Sequence, residues 1–290
     1  MTAIIITGII VIAVLLLEIW RELHTFNMTR YTVSSPKLAR MQGNKKIVFL
    51  SDMHNKTYGD PDSSRLVQAI RKEQPDLVLI GGDMMVGKKG HDCEPALRFV
   101  KQLASVCPVY YANGNHEQRA MDRPEYYGTD IERYREELRE AGVHFLENEY
   151  VQISLDGTRL CIFGLEIPER CYGRFHQPPL GAEEIRQRIG QCPLNSYNIL
   201  LAHNPGYTDV YRAWGADLTL SGHYHGGIVG IPGLGGVVAP GFFLFPKYSG
   251  GKYDEEGTTT VVSRGLGSHT IPLRLFNPAE VVVIELASGQ

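Results

Sequence analysis

Five short apolar runs, each closed by Asp, His or Asn, constrain this 290-residue chain more than any other feature. Lys46–Leu50 leads into Ser51-Asp52-Met53-His54, Leu77–Ile80 into Gly81-Gly82-Asp83, and Val109–Ala112 into Gly114-Asn115-His116-Glu117. Asn198–Ala202 leads into His203-Asn204, and Leu218–Leu220 into Gly222-His223-Tyr224-His225. Runs this short, bounded by turn residues, read as buried strands. In an α/β sheet the carboxyl ends of neighbouring strands share one edge, where ligand sites form. Side chains far apart in sequence are therefore expected to meet there.

A single Asp-x-His means little, because a lone His in a turn is ordinarily just solvated. Five in series differ. Carboxylates and imidazoles gathered at one edge without neutralisation would be destabilising, and bound cations remove that penalty. No Cys stands among them, so the set suits Mn, Fe, Zn or Co rather than Ca or an iron–sulfur cluster. The count is too high for one ion and right for two. Cys93, Cys107, Cys161, Cys171 and Cys192 are odd in number and lack CxxC spacing. They suggest neither a disulfide framework nor a zinc knuckle, and read as small apolar residues.

Asp52-x-His54, Gly82-Asp83, Gly114-Asn115-His116-Glu117, His203 and Gly222-His223-x-His225 occur in that order. Together, over roughly 45–286, they resemble the calcineurin-like metallophosphoesterase superfamily. The resemblance implies an α/β fold, a four-layer αββα sandwich of two facing mixed β-sheets flanked by helices. It implies that Asp52, His54 and His225 hold one divalent metal ion. Asn115, His203 and His223 would hold a second, and Asp83 would bridge the two. His116 is then the catalytic residue, stabilising the transition state or protonating the leaving oxygen. Two ions can clamp a phosphoryl oxygen and lower the pKa of a bridging water, which would attack the phosphorus.

Where the sequence departs from relatives, it narrows the substrate. Phosphoprotein phosphatases of the superfamily carry Asp-Arg soon after the bridging Asp, whereas Met84, Met85, Val86 and Gly87 follow Asp83 here. Asp52-Met53-His54-Asn55, the insert after His225-Gly226-Gly227 and Ser263-Arg264-Gly265-Leu266-Gly267 are closer to one branch. That branch holds membrane-associated bacterial phosphoesterases, including pyrophosphatases of UDP-2,3-diacylglucosamine. The implied activity is hydrolysis of a phosphodiester or pyrophosphate in a lipid-linked or nucleotide-linked substrate. A nuclease or cyclic-nucleotide phosphodiesterase is the alternative, and a metal-free binding scaffold a weaker one. Substrate-binding residues and oligomeric state are not legible. Within the insert, nine of the 31 glycines fall between Gly226 and Gly251, and Gly241-Phe242-Phe243-Leu244-Phe245-Pro246 is strongly apolar. It is expected to line an acyl groove, touch a bilayer or cover a sheet edge.

Met1 to Leu17 carries no charge, and Trp20 and Arg21 follow shortly after. Twenty helical residues span about 30 Å, enough to cross a bilayer core. A cleaved secretory signal is the alternative, but no basic region precedes the run and no small-x-small cleavage site follows it. The expected organisation is a transmembrane anchor at 1–20, a linker with a candidate edge strand at 21–44, and the metallophosphoesterase domain at 45–290. Arg21, Arg30, Lys37 and Arg40 all follow the span, which by the positive-inside rule puts that domain on the cytoplasmic face of the cell membrane. Net charge is −3. No positive excess exists to displace counterions from nucleic acid, so none is expected as a partner.

Helical spacing is expected at Asp62–Lys72, Glu94–Leu103, Asp130–Ala141, Ala182–Ile189 and Tyr207–Trp214, and a hairpin across Asp156-Gly157. Thr258–Ser263 and Glu280–Leu286 read as closing strands.

Overall fold

The computed structural model describes residues 1–128, 130–231, 233–268 and 272–289. A helix, α1 (Thr2–His24), is followed by strands β1 (Phe26–Ser35) and β2 (Lys45–Leu50). Then come α2 (Ser64–Glu73), β3 (Leu77–Ile80), α3 (Glu94–Ala104), β4 (Val109–Tyr111), α4 (Asn115–Asp122), α5 (Pro124–Tyr127), α6 (Ile131–Glu140) and β5 (Val143–Phe145). The second half opens with β6 (Glu149–Leu155), β7 (Thr158–Leu165), α7 (Ala182–Ile189), β8 (Tyr197–Ala202), α8 (Thr208–Trp214) and β9 (Leu218–Ser221). Short strands β10 (Gly230–Ile231), β11 (Gly235–Gly236), β12 (Val238–Ala239) and β13 (Phe243–Leu244) follow, then β14 (Gly251–Glu255), β15 (Thr258–Val262) and β16 (Ala279–Ser288).

Alternation along the strands sets the layers, because successive side chains point to opposite faces. In β2, Ile47 and Phe49 enter one core while Val48 and Leu50 enter another. β8 does the same with Ile199 and Leu201 against Leu200 and Ala202. The residues shared by β2 and β8, with Leu77, Leu79, Leu160 and Ile162, fill one slab between two six-stranded sheets. Outside the first sheet, Leu66, Ile70, Leu97, Phe99 and Leu138 of α2, α3 and α6 close a second core. Outside the other sheet, Ile185, Tyr211 and Trp214 of α7 and α8 close a third. Four layers around three cores make the αββα sandwich.

The first sheet has the order β1-β16-β2-β3-β4-β5 and the second β14-β15-β9-β8-β7-β6. β2 to β5 are mutually parallel, as are β7, β8, β9 and β15. The metal-motif strands therefore do not share one sheet edge, as the simple α/β reading expects: β2, β3 and β4 lie in one sheet, β8 and β9 in the other. Their ends still meet, because the two sheets face each other. Residues 21–44 contain the expected edge strand. The candidate edge strand near Tyr31–Ser34 is ten residues long, paired in parallel over its whole length with β16, itself antiparallel to β2. The strand thus starts, at Phe26, beside the site end of β2.

Candidate metal centre

Asp52, His54 and His225 bring one ligand atom each to within 4.8 Å of one another, and so do Asp83, His203 and His223. A third combination joins His54, Asp83 and His116. His54 Nε2 and His225 Nε2 are 3.1 Å apart, and His225 Nε2 is 3.1 Å from Asp52 Oδ1. Asp83 stands between the groups: its Oδ2 lies 3.0 Å from His203 Nε2 and 4.0 Å from the Nε2 of both His54 and His116. Asn115, at the start of α4, is buried and lines the same cavity as His54, His116 and His223.

Backbone geometry fixes these positions. Asp52, His54, Asp83, His223 and His225 all have positive φ, between 49° and 64°. For non-glycine residues this costs energy and persists only where the surroundings over-determine it, typically at functional sites. Here the loops brace one another. Asp52 N–H donates to the Gly82 carbonyl and His54 N–H to the Asp83 carbonyl. His223 N–H reaches both carboxylate oxygens of Asp52 at 3.1 Å. Gly82 has φ +88°, and a Cβ there would sit 2.1 Å from the backbone nitrogen of Gly114.

A second tier, mostly invisible in sequence, orients the first. His203 Nδ1 lies 2.6 Å from the Gly81 carbonyl and His225 Nδ1 3.2 Å from that of Gly267. An Nδ1–H given to a carbonyl leaves the Nε2 lone pair facing the site, the arrangement a metal-binding His needs. Arg274, fully buried, donates to the carbonyls of Arg264, Gly265, Gly267 and Asn277. Tyr172 packs edge-on against His223, ring centroids 5.1 Å apart. Glu117 accepts from the backbone N–H groups of Asp83, Met84 and Gly114 and from the Tyr111 hydroxyl, at 2.8 to 3.0 Å. The signal for Glu117 was present, as the fourth residue of Gly114-Asn115-His116-Glu117, but its role lies in backbone contacts that sequence does not display. Glu117→Gln removes one acceptor oxygen beneath buried N–H groups and is expected to cost about 1–3 kcal/mol. Thermal unfolding of the full chain in detergent checks this: the transition should move down by several degrees, and an unmoved transition contradicts the clamp.

Charge is concentrated here. Burial opposes ionisation of Asp52 and Asp83, but the imidazoles facing them, His225 and His203 first for Asp52 and His203 and His116 for Asp83, hold both carboxyls below the usual range. Burial likewise opposes charge on His203, yet Asp83 and Asp52 push it up to about 10. His54 moves the other way, burial and the neighbouring imidazoles of His116 and His225 keeping it neutral. Burial raises Glu117 to about 7, with the Asp83 charge adding. Among the described residues, His203 Nε2 and Asn115 Oδ1 are buried side-chain atoms without a hydrogen-bond partner. His203 Nε2 is close to Asp83 but not aligned with it for a hydrogen bond. A buried amide oxygen and imidazole nitrogen left without a hydrogen bond beside a carboxylate cluster fit divalent cations, and so does the N/O ligand set.

His116 is placed differently. Its Nδ1 accepts from Gly87 N–H at 2.9 Å, so its proton sits on Nε2, toward the site. Burial lowers its pKa, keeping that neutral tautomer. The centre opens into a cavity of about 680 Å³ lined by Lys56, Lys88, Lys89, Arg119 and Arg174. An apolar cavity of about 160 Å³ adjoins it, walled by His225, Tyr224, Val238, Phe242 and Leu273. Met84 and Met85, the first two residues after Asp83, are buried in the core that α2 and α3 close.

The Calcineurin-like phosphoesterase family profile matches residues 45–227. This chain belongs to that family. Its members are metal-dependent phosphoester hydrolases, and the match spans every proposed ligand. The chain is 26% identical to the uncharacterized metallophosphoesterase YkuE of Bacillus subtilis, over 92% of this chain and 87% of that protein. It is 29% identical to phosphodiesterase YaeI of Escherichia coli, over 83% and 82%. A Danio rerio transmembrane protein with metallophosphoesterase domain is 27% identical over 86% of this chain but only 55% of its own length. A putative metallophosphoesterase of Caenorhabditis elegans is likewise covered over 48% of its length, so the chain spans about half of some relatives it matches. Among solved structures, the phosphopantetheinyl hydrolase of Mycobacterium tuberculosis is 12% identical with a TM-score of 0.49, over 77% of this chain and 91% of that one.

Proposed function

We propose that this chain hydrolyses a phosphodiester or pyrophosphate bond of a lipid-linked or nucleotide-linked substrate, using two divalent metal ions. The observation that carries the reading is the convergence, from both sheets, of carboxylate, amide and imidazole ligands beside a cation-lined cleft. Asp52, His54 and His225 are assigned to one ion, and Asn115, His203 and His223 to the other. Asp83 is shared between them. When bound, two such ions supply Lewis acidity at the phosphoryl group and an activated water at neutral pH.

The chain's own residues do the rest. Lys88, Lys89, Arg119 and Arg174 draw the anionic substrate into the cleft and hold its phosphate oxygens. His116, with its proton on Nε2 and Gly87 N–H fixing the tautomer, donates to the oxygen that leaves. Burial of the centre strengthens these interactions as charge develops on the phosphoryl oxygens. The name of the E. coli relative favours a diester over a monoester. The exposed apolar helix α1, with 23 residues and mean hydropathy 2.8 over its best window, supports a single membrane anchor. Relatives in Danio rerio and Bos taurus that are named transmembrane proteins point the same way. The Lys and Arg residues behind α1 support a cytoplasmic domain.

A lipid-linked substrate rests on the apolar insert. Phe242 lines the apolar cavity next to His225, whereas Leu244 and Phe245 project outward. Phe242→Ser is expected to lower kcat/KM on a diacylated nucleotide-linked substrate by about tenfold or more, the effect of one unburied aromatic ring. Hydrolysis of bis(p-nitrophenyl) phosphate should be unchanged. A screen of the manganese-loaded full chain in detergent against nucleotide-linked lipids, simple diesters and cyclic nucleotides tests the whole reading. Equal losses on lipid and soluble diester would remove the lipid assignment and leave the esterase.

A further inference from the structure

The last turn of α1 is knitted into the catalytic edge. Asn277 N–H donates to Glu22 Oε2 at 3.0 Å, and Lys56 Nζ donates to the carbonyl of Leu23. Glu22 is 1% exposed, whereas the apolar residues of α1 before it stand free of the domain. Thr25 alone separates α1 from β1. No flexible tether lets the domain swing away. Asn277 also holds the carbonyls of His225 and Gly227, so the helix docks on the loop that carries a proposed ligand.

Around this junction the surface is apolar. Phe276, Phe242 and Phe175 are 49%, 57% and 75% exposed, and Leu244 and Phe245 are 68% and 60% exposed. The segments that carry them are tied together. Gly230 N–H donates to the Leu275 carbonyl and Phe175 N–H to that of Gly241, and the rings of Phe175 and Phe242 stack 5.1 Å apart. Lys56, Lys88, Lys89 and Arg174 sit beside this rim along the cleft. Aromatic and aliphatic tips over a cationic border, next to the end of an apolar helix, match the chemistry of a lipid interface. Lys37, Arg40 and Leu194 lie at the far end of the sandwich. That end is about 30 Å away along the ten residues of β1.

We infer that this apolar rim is a bilayer-contact surface, seated in the headgroup region of the leaflet that α1 enters, so that the metal centre opens onto an anionic lipid surface. The inference rests on reading α1 as membrane-spanning and extends it. The enzyme then takes phosphoesters from the plane of the membrane. Phe242 stands at the rim and in the apolar cavity at once, so an acyl chain can pass from lipid to the centre without crossing water.

The test uses the full chain in nanodiscs of phosphatidylcholine and phosphatidylglycerol. A benzophenone-bearing residue replaces Val11, Leu244, Phe276 or Leu194 in separate proteins, and lipid adducts are counted by mass spectrometry after illumination. The expected result is adduct at positions 11, 244 and 276, about tenfold above position 194, as depth-dependent contact demands. Adduct at 11 with 244 and 276 no higher than 194 overturns the contact surface while leaving the anchor intact. An unlabelled position 11 overturns the anchor reading and the inference with it.

Discussion

Asp83→Asn is expected to lower kcat/KM on a phosphodiester by about 10³-fold or more, the scale on which losing one electrostatic group at a transition state is felt. Asp83 Oδ1 accepts from His116 N–H at 2.8 Å while Oδ2 faces His203, His54 and His116. The amide keeps the shape and the contact with His116. It loses the negative charge and offers at most one donor oxygen, so the ligand assigned to both ions disappears. The loop itself should survive, because Glu117 holds the backbone nitrogens on either side of the Asp83 side chain. The expected signature is lost activity and metal with a largely retained melting transition. Steady-state kinetics, elemental analysis and calorimetry on one preparation separate these effects. A variant that stays fully active contradicts the assignment of Asp83.

His116→Ala should act by another route. Kcat is expected to fall by about 10²- to 10⁴-fold, the usual contribution of a positioned general acid or base. Metal content should not change, because the proposed ligand sets do not include His116. The loss should depend on the leaving group: small for p-nitrophenolate, which leaves without a proton, and large for an alkoxide. The grouping of His116 with His54 and Asp83 allows a competing role as a ligand. If His116 is a ligand, the variant loses metal, and both leaving groups suffer alike.

Much of the fold was legible because its strands are buried on both faces. Lys46–Leu50 and Leu77–Ile80 read directly as strands, and the ends of the apolar runs pointed to each ligand. Ala182–Ile189 matched its helix for the same reason, a clear apolar spacing. Strand order was not legible, since periodicity carries no information on neighbours. The pairing of β1 with β16 joins Phe26 to Ala279, and nothing local to either segment announces it. The three-residue β5 and the four short strands of the insert offer too few residues for a pattern. α4 begins at Asn115, within the metal motif, where the polar residues needed for chemistry mask helical spacing. Arg274 and Asn277 act through backbone carbonyls, so their residue types gave no hint of a role. Phe175, flanked by Arg174 and His176, and Phe276, beside Leu275, lie far apart in the chain, extend the apolar rim beyond the insert and become a patch only in three dimensions.

The central claim is a site for two divalent ions built from ligands on both sheets. It is tested most directly by counting metal. The full chain, stripped with chelator in detergent and titrated with manganese, should bind two ions per chain. Diester hydrolysis should return as the sites fill, and Asp83→Asn should fail to reach that ratio. A chain that binds no manganese, zinc, iron or cobalt, or an Asp83→Asn protein that binds and hydrolyses like the original, would contradict it.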